Sequence, residues 1–391
     1  MTSSSTPPID PLSNLIAAIH DTPTRVALAI TGGGSAALSR LLTVPGASRT
    51  VLEGQVPYAA SALTEYLGSP PDRFCDDSTA LAMAVAAFQR ATGLAEDDTS
   101  RDTLLGLGAT ASLASDRPKR GDHRALVAVQ TVNSTTLVQL DLAKDGRTRA
   151  EEEDLVAQLV IDLIARAAGV SPLPELPLTK NDTLETRQTV ASPELAAVWN
   201  QQHPIAWSLV DGSWSLDPPS RPIGVLSGSF APRHQGHVEL QQAAESILEG
   251  PVCYELTAVN ADKPPLDFET IERRREVFAD RPLAVTSAAT FVEKSRLFPG
   301  ATFVVGVDTA ARVVAPRFYE NDVDELDNAL NAIRENGCRF LVAGRLDDDG
   351  FQDLACLDLP TQHRELFSSI PADVFRCDVS STDIRNSSNS E

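Results

Sequence analysis

The residues best suited to chemistry lie in Gly228-Ser229-Phe230-Ala231-Pro232-Arg233-His234-Gln235-Gly236-His237. His234 and His237 are three positions apart, so on a helical turn they project from one face. Gly236 between them has no side chain and lets a ligand or a neighbouring backbone come close. A helix N-terminus adds unpaired N–H groups and a dipole that favours anions. Two imidazoles over such a terminus suit a polyphosphate, donating hydrogen bonds and stabilising charge on a displaced phosphate. The chain has six histidines, and this tetrad holds two of them. An isolated H-x-G-H also fits two capping histidines at a turn. The G-x-F-x-P ahead of it, directly after a strand, favours the phosphate reading and draws Gly228, Ser229 and Phe230 into the same loop. A second group, Val379-Ser380-Ser381-Thr382-Asp383-Ile384-Arg385, sets hydroxyls one turn before a guanidinium. Such a pattern caps a helix or holds a phosphate.

These residues need elements to position them. An apolar run over 223–226 predicts a strand feeding the glycine turn, with a helix over 237–248. Further strands are predicted at 254–259, 302–307, 340–342 and 374–375, and a helix at 268–278. The intervals suit βαβ crossovers. The expectation is an open, doubly wound parallel sheet with helices on both faces and ligands at the carboxyl ends of its strands. In the first half, a strand at 26–30 runs into Thr31-Gly32-Gly33-Gly34-Ser35 and a helix ending near Leu42. A helix at 76–92 and paired strands at 126–130 and 136–142 follow. Thr148-Arg149-Ala150-Glu151 is a capping-box pattern. It opens a helix with apolar residues at 155, 156, 159, 160, 163, 164 and 167, one broad buried face. Alternating strands and helices indicate an α/β layered domain. The predicted organisation is a disordered tail at 1–12, a first domain at 13–169, a proline-bearing linker at 170–220 and a second domain at 221–391. Residues 205–214 read either as a small hairpin around Asp211-Gly212 or as a structured connector.

The two motifs of the second half together resemble the nucleotidyltransferase superfamily, in particular the nicotinamide mononucleotide adenylyltransferase type. That family carries G-x-F-x-P-x-H-x-G-H after its first strand and I-S-S-T-x-I-R near its end. Glu293-Lys294-Ser295-Arg296-Leu297-Phe298-Pro299-Gly300 and Phe303-Val304-Val305-Gly306-Val307-Asp308-Thr309 extend the resemblance over about 221–385. The resemblance implies a Rossmann-like domain. Its implied reaction is in-line attack by a nucleotide phosphate on the α-phosphorus of ATP, with Mg²⁺ accompanying the triphosphate and pyrophosphate leaving. No covalent enzyme intermediate is implied. His234 and His237 become the catalytic pair. Gly306 and Asp308 lie by the nucleotide, Lys263 is a phosphate ligand, and Ser380, Ser381, Thr382 and Arg385 hold phosphates. Nicotinamide or nicotinic acid mononucleotide is the implied acceptor; a CTP-using enzyme with another phosphate acceptor stays open. Ala231 stands where the family commonly has Asp or Asn.

The first half is similar to the C-terminal domain of the competence/damage-inducible protein CinA, a nicotinamide-nucleotide amidohydrolase. The residues that carry this are Ala29-Ile30-Thr31-Gly32-Gly33-Gly34-Ser35, the run Arg40 to Ser48 with its Val44-Pro45-Gly46-Ala47-Ser48, then Gly54 and Tyr58. The resemblance implies a site of serine, tyrosine and lysine. Thr31 takes the serine's place, with Ser35 in the same turn, Tyr58 that of the tyrosine, and Leu63 that of the lysine. A hydroxyl without a neighbouring base is a weak nucleophile. An active hydrolase and a ligand-binding remnant both remain open. A basic island over 108–124 falls where that family has a glycine-rich phosphate loop, making Lys119, Arg120 and Arg124 candidate phosphate ligands.

Composition bounds these readings. At 391 residues, a length prior gives about two to three domains. Asp plus Glu number 54 against 33 Lys plus Arg, for a net charge of -21. That excludes a protein built to coat nucleic acid or to dock on an anionic membrane through a basic face. It does not exclude a mononucleotide held by a local site, and the expected partners are ATP and a small phosphorylated substrate. The N-terminus lacks the cationic start and apolar run of a signal peptide. No apolar run reaches the ~18 residues of a membrane span. Five scattered cysteines without a C-x-x-C pair point to reduced thiols in a cytoplasm and no structural zinc. A homodimer is implied by the hydrolase resemblance alone. A nucleotide-sensing protein with two degenerate enzyme domains is the reading from a different class.

Overall fold

The computed structural model describes residues 11–116, 120–144, 146–259, 264–347 and 350–376. It divides into two compact units, Met1–Ala191 with Asp262–Thr270, and Ser192–Ala261 with Ile271–Glu391.

The first unit runs α1 (Pro11–His20), β1 (Arg25–Thr31), α2 (Ala36–Thr43), β2 (Val51–Gln55), α3 (Ala60–Leu67), α4 (Asp77–Leu94), β3 (Leu104–Ser112), β4 (His123–Gln130), β5 (Ser134–Leu142), α5 (Arg149–Ala167) and β6 (Thr183–Val190). Its sheet has the order β2-β1-β3-β4-β5-β6. The β2-β1-β3 part is parallel and the β3-β4-β5-β6 part antiparallel. Both faces of β1 are buried, which explains its unbroken apolar run Val26-Ala27-Leu28-Ala29-Ile30. On one face Val26, Leu28 and Ile30 meet Ile16, Leu41 and Val160 of α1, α2 and α5. On the other, Ala80 and Ala84 of α4 pack on Leu126, Ala128 and Leu137, and Leu63 and Leu67 of α3 pack with Ala29 and Met83. Helix α5 opens with the capping box. The Thr148 N–H donates to Glu151 Oε2 at 2.7 Å, and the Glu151 N–H donates to Thr148 Oγ1 at 3.3 Å.

Two sequence expectations change here. Gly108 does not open a phosphate loop over 108–124; it lies inside β3. A Cβ on Gly106 would stand 2.1 Å from the Phe88 nitrogen, and one on Gly108 would stand 2.4 Å from the Ala84 nitrogen. These glycines let the alanine face of α4 lie directly on the strand. The 170–220 segment is also more than a linker. It contains β6, which pairs antiparallel with β5 from Ser134↔Val190 to Asp141↔Thr183, and elements of the second unit. β6 is an edge strand, exposed at almost every position, so it carries no apolar alternation to read.

The second unit runs α6 (Pro193–Trp199), β7 (Ile205–Ser208), β8 (Trp214–Ser215), β9 (Gly224–Ser227), α7 (Gln235–Leu248), β10 (Val252–Thr257), α8 (Phe268–Glu276, whose first residues belong to the first unit), β11 (Leu283–Thr286), α9 (Phe291–Leu297), β12 (Thr302–Gly306), α10 (Val307–Val313), α11 (Val323–Glu335), β13 (Arg339–Ala343), β14 (Arg345–Asp347), β15 (Gly350–Gln352) and β16 (Phe367–Ser369). The main sheet has the order β16-β13-β12-β9-β10-β11-β7-β8. It is parallel from β16 to β11, and β7 and β8 close one edge antiparallel. Numbered in chain order, the parallel strands read 6-5-4-1-2-3, the doubly wound order seen from its other edge. Helices cover both faces. Leu326, Leu330 and Ile333 of α11 pack with Val225, Phe303 and Val342, whereas a Cβ on Gly224, pointing the other way, would meet Leu248 of α7 at 2.8 Å. The expected last strand moves from 374–375 to β16, and β11 is additional. The hairpin around Asp211-Gly212 forms as β7-β8 and joins this sheet.

Gly108→Ala should destabilise the first unit by about 1–3 kcal/mol through overpacking against α4. Urea denaturation of the variant against the parent chain measures it.

Candidate functional site

Strand order decides where a site can form in the second unit. The doubly wound order reverses between β9 and β12, and ligands of such sheets bind at that crevice, beyond the carboxyl ends of the strands. β9 and β12 pair as Thr302↔Gly224, Phe303↔Val225 and Val304↔Leu226. Two residues past the last pair stand Gly306 and Gly228. The Gly228–His237 loop and the Gly306–Asp308 turn therefore leave the sheet from neighbouring strands, about 4.8 Å apart in the pairing direction.

The first loop is built around Phe230. Its ring is buried and meets His237, Tyr254 and Phe278 edge-on at centroid distances of 5.1, 5.3 and 5.1 Å. Its backbone has φ 45°, the left-handed region that costs a non-glycine residue on the order of 1–2 kcal/mol. The ring folds back so far that a Cβ on Gly228 would stand 2.8 Å from it, which accounts for the glycine two residues earlier. The Gly228 N–H donates to the Glu255 carbonyl at 3.1 Å. The exposed Ser229 offers its carbonyl to Arg274 Nη1 at 2.9 Å.

His234 is the N-cap residue of α7, and Gly236 and His237 lie in its first turn. The His234 N–H donates to His237 Nδ1 at 3.2 Å. That acceptance leaves Nε2 as the protonated, donating nitrogen of His237. The two rings lie 3.9 Å apart, centroid to centroid. Burial, with help from His234 and Arg233, pulls the pKa of His237 down to about 4, and burial lowers that of His234. Near pH 7 these imidazoles act as neutral hydrogen-bond donors.

Side chains with no role in the sequence reading complete the scaffold. The Arg233 guanidinium lies 4.9 Å from the centroids of both Tyr254 and Phe278. It donates to the Val277 carbonyl at 2.7 Å and to Asp280 Oδ1 at 3.1 Å. The Tyr254 hydroxyl donates to the His237 carbonyl at 3.2 Å. Toward the carboxyl ends of β10 and β11, Glu255 (0 % exposed) takes Lys294 Nζ at 2.8 Å and Thr286 Oγ1 at 2.6 Å. Lys294 (6 % exposed) comes from α9. Arg233 sits inside the histidine motif and Lys294 inside the 293–300 segment, but their partners lie far away in the chain.

Gly306 caps α10, and a Cβ added there would meet nothing within 4 Å. Asp308, on the first turn of α10, pairs with Arg345 Nη1 at 2.8 Å. Lys263, Ser380, Ser381, Thr382 and Arg385 lie outside the described residues.

In the first unit, Thr31, Tyr58 and Leu63 line one cavity of about 330 Å³ with Phe74, Cys75 and Thr110. Thr31 ends β1 opposite Thr110 of β3. Tyr58 is 68 % exposed and Leu63 is buried. The described lining contains no lysine or histidine. Ser35 lies elsewhere, donating to Glu153 Oε1 at 2.9 Å. Arg124 is on β4, within 3.4 Å of Asp122 and 3.5 Å of Asp141, so carboxylates already answer its charge. Arg120 is exposed and its carbonyl accepts Lys144 Nζ at 3.1 Å. Lys119 lies outside the described residues. Among the described residues no helix is long and apolar enough to cross a membrane, and no cluster of His, Cys, Asp and Glu could by itself hold a metal ion.

No family model and no curated protein matches the chain. Among solved structures it is similar to the competence/damage-inducible protein CihA of Agrobacterium tumefaciens, with 16% identity, a TM-score of 0.28, and coverage of 41% of this chain and 93% of that one. A competence-damaged protein (CinA) superfamily member from Escherichia coli gives 16% identity and a TM-score of 0.27, covering 43% and 89%.

Two outcomes follow. His237 has a folded-state pKa below its unfolded value, so the stability it contributes is full above pH 6.5 and is lost as the pH falls toward 4, by on the order of 2 kcal/mol. His237→Gln should flatten that acid loss in denaturation curves taken between pH 7 and 4. Lys294→Met should cost about 3–5 kcal/mol, since it leaves Glu255 buried without its counter-charge; calorimetric unfolding reads it.

Proposed function

We propose that the second unit is a nucleotidyltransferase that moves AMP from ATP to a mononucleotide such as nicotinamide or nicotinic acid mononucleotide, releasing pyrophosphate. The observation that carries this reading is the position of the histidine pair. His234 and His237 stand at a helix N-terminus directly after β9, beside the Gly306–Asp308 turn, at the reversal of strand order. A polyphosphate there meets the α7 dipole and the donating Nε2 of His237. Neutral donors fixed by packing need no reorganisation as charge builds on the departing pyrophosphate. Two nucleotides held side by side convert a bimolecular attack into a local one. Arg233 and Tyr254 act through the loop: they hold the His237 turn and do not touch the reacting atoms.

Asp308 is the carboxylate that would hold the Mg²⁺ carried by ATP. It is partly exposed on the first turn of α10, and a nucleotide-bound Mg²⁺ needs only one or two protein carboxylates. The ion would neutralise triphosphate charge. The first unit is read as a relative of nicotinamide-nucleotide amidohydrolases that keeps the pocket and has lost the base. Thr31 and Tyr58 share a cavity whose third family position is the buried aliphatic Leu63. A threonine hydroxyl in such surroundings is a poor nucleophile, so binding is the activity assigned to this pocket.

Purified protein given ATP, Mg²⁺ and either mononucleotide should release pyrophosphate and form the dinucleotide. His237→Ala should lower kcat by roughly 10²-fold. Folded protein that makes no product with either acceptor, or an alanine variant as active as the parent, would overturn the assignment. Product formed from CTP but not from ATP would move the reading to a cytidylyltransferase. No ammonia should be released from nicotinamide mononucleotide.

A further inference from the structure

A larger cavity, of about 650 Å³, opens in the first unit between α5 and the antiparallel half of the sheet. Its described lining shares no residue with the Thr31 pocket. Leu159, Asp162, Leu163 and Arg166 of α5 face it at helical spacing. Val129 and Val138 form its sheet wall, and Thr186 and Gln188 of β6 stand at its side. The volume is that of a small-molecule site.

Its chemistry is set by Asp162. This side chain is 2 % exposed, and its Oδ1 has no hydrogen-bond partner. A buried carboxylate oxygen without a donor is costly; the leucines and valines beside it supply none, and the lining's hydroxyls and amides, Thr131, Asn133, Ser134 and Thr136 among them, do not bond it. Asp102 adds a second carboxylate to the lining. The other charged group of the described lining is Arg166, exposed, one turn along α5. The cleft therefore joins an aliphatic wall on α5, β4 and β5 and a polar rim to a carboxylate that needs a donor.

We propose that this cleft is a second ligand site that takes a small organic amine, with its ammonium on Asp162 and its apolar body along Leu159, Leu163, Val129 and Val138. Burial pushes the Asp162 pKa up to about 6, with Arg166 opposing the shift. The charged groups facing the cleft are Asp102, Asp162 and Arg166. At pH 7.5 Asp162 is an anion and binds the ammonium; as the pH falls through 6 it gains a proton and that attraction ends. Without ligand, the raised pKa makes Asp162 a group whose stability contribution is lost as the pH rises through 6.

The test is calorimetric titration of the full chain at pH 7.5 with 2-phenylethylamine, and with 2-phenylethanol as its uncharged counterpart. The amine should bind at least about tenfold tighter than the alcohol, the scale of one charge-assisted contact. Asp162→Asn should remove that difference, and Arg166→Ala should strengthen amine binding. In the unmutated chain, amine affinity should fall about tenfold between pH 7.5 and 5, following the fraction of Asp162 still ionised. The pH series keeps the test open should Asp162→Asn fail to fold. Equal binding of amine and alcohol, an amine preference that survives Asp162→Asn, or no saturable binding by folded protein would each overturn the proposal. The last would mean that water alone serves Asp162.

Discussion

The parallel pairing of β9 with β12 is the constraint on which the second unit depends. These strands are adjacent in space although β10 and β11 lie between them in the chain. The reversal of order leaves their carboxyl ends without a crossover helix directly above. That gap receives the histidine loop from one strand and the Gly306 turn from the other. The buried Glu255–Lys294 pair ties β10 to α9 beside it. A buried ion pair contributes little net stability against an apolar replacement, so its effect here is to hold α9 in one place against the sheet.

The histidine motif is as much a packing device as a chemical one. Phe230 accepts a left-handed backbone because its ring gains three aromatic neighbours. Gly228 accommodates the fold-back of that ring. Arg233 uses its planar guanidinium against Tyr254 and Phe278, a contact that lysine's compact charge would not reproduce. His237, its Nδ1 accepting within the loop, keeps Nε2 as its donor. A motif of this kind survives substitution poorly even where no reacting atom is touched.

Much of this was legible in the chain, with limits that have physical causes. Apolar runs flanked by turns located β9, β10, β12 and β13. β11 follows Pro282 and spans only Leu283–Thr286, too short to show a period. β3 was hidden because the stretch from Gly108 onward read as a loop; the strand survives because its glycines pack under α4. β6 was hidden because an exposed edge strand needs no apolar face. The helix-opening box at Thr148 is a local pattern, and it forms; a second one, at Thr290, opens α9 unannounced. The partners of Arg233 and Glu255, and the unpartnered oxygen of Asp162, are products of tertiary contact that no spacing rule reaches. Chain order did relate Thr31, Tyr58 and Leu63, three residues that share a cavity.

The neutral state of the two imidazoles has a consequence for ionic strength. A phosphate site built from guanidinium or ammonium groups loses affinity as salt rises. Here the two imidazoles at the α7 terminus carry no net charge, while the chain as a whole carries -21. For the nucleotide proposed to bind there, long-range repulsion and short-range attraction would then have different origins. Salt screens the first, over a length of about 8 Å at physiological strength, and scarcely touches the second. Capture of an anionic ligand by such a molecule should quicken with added salt, the reverse of what a basic phosphate-binding protein shows.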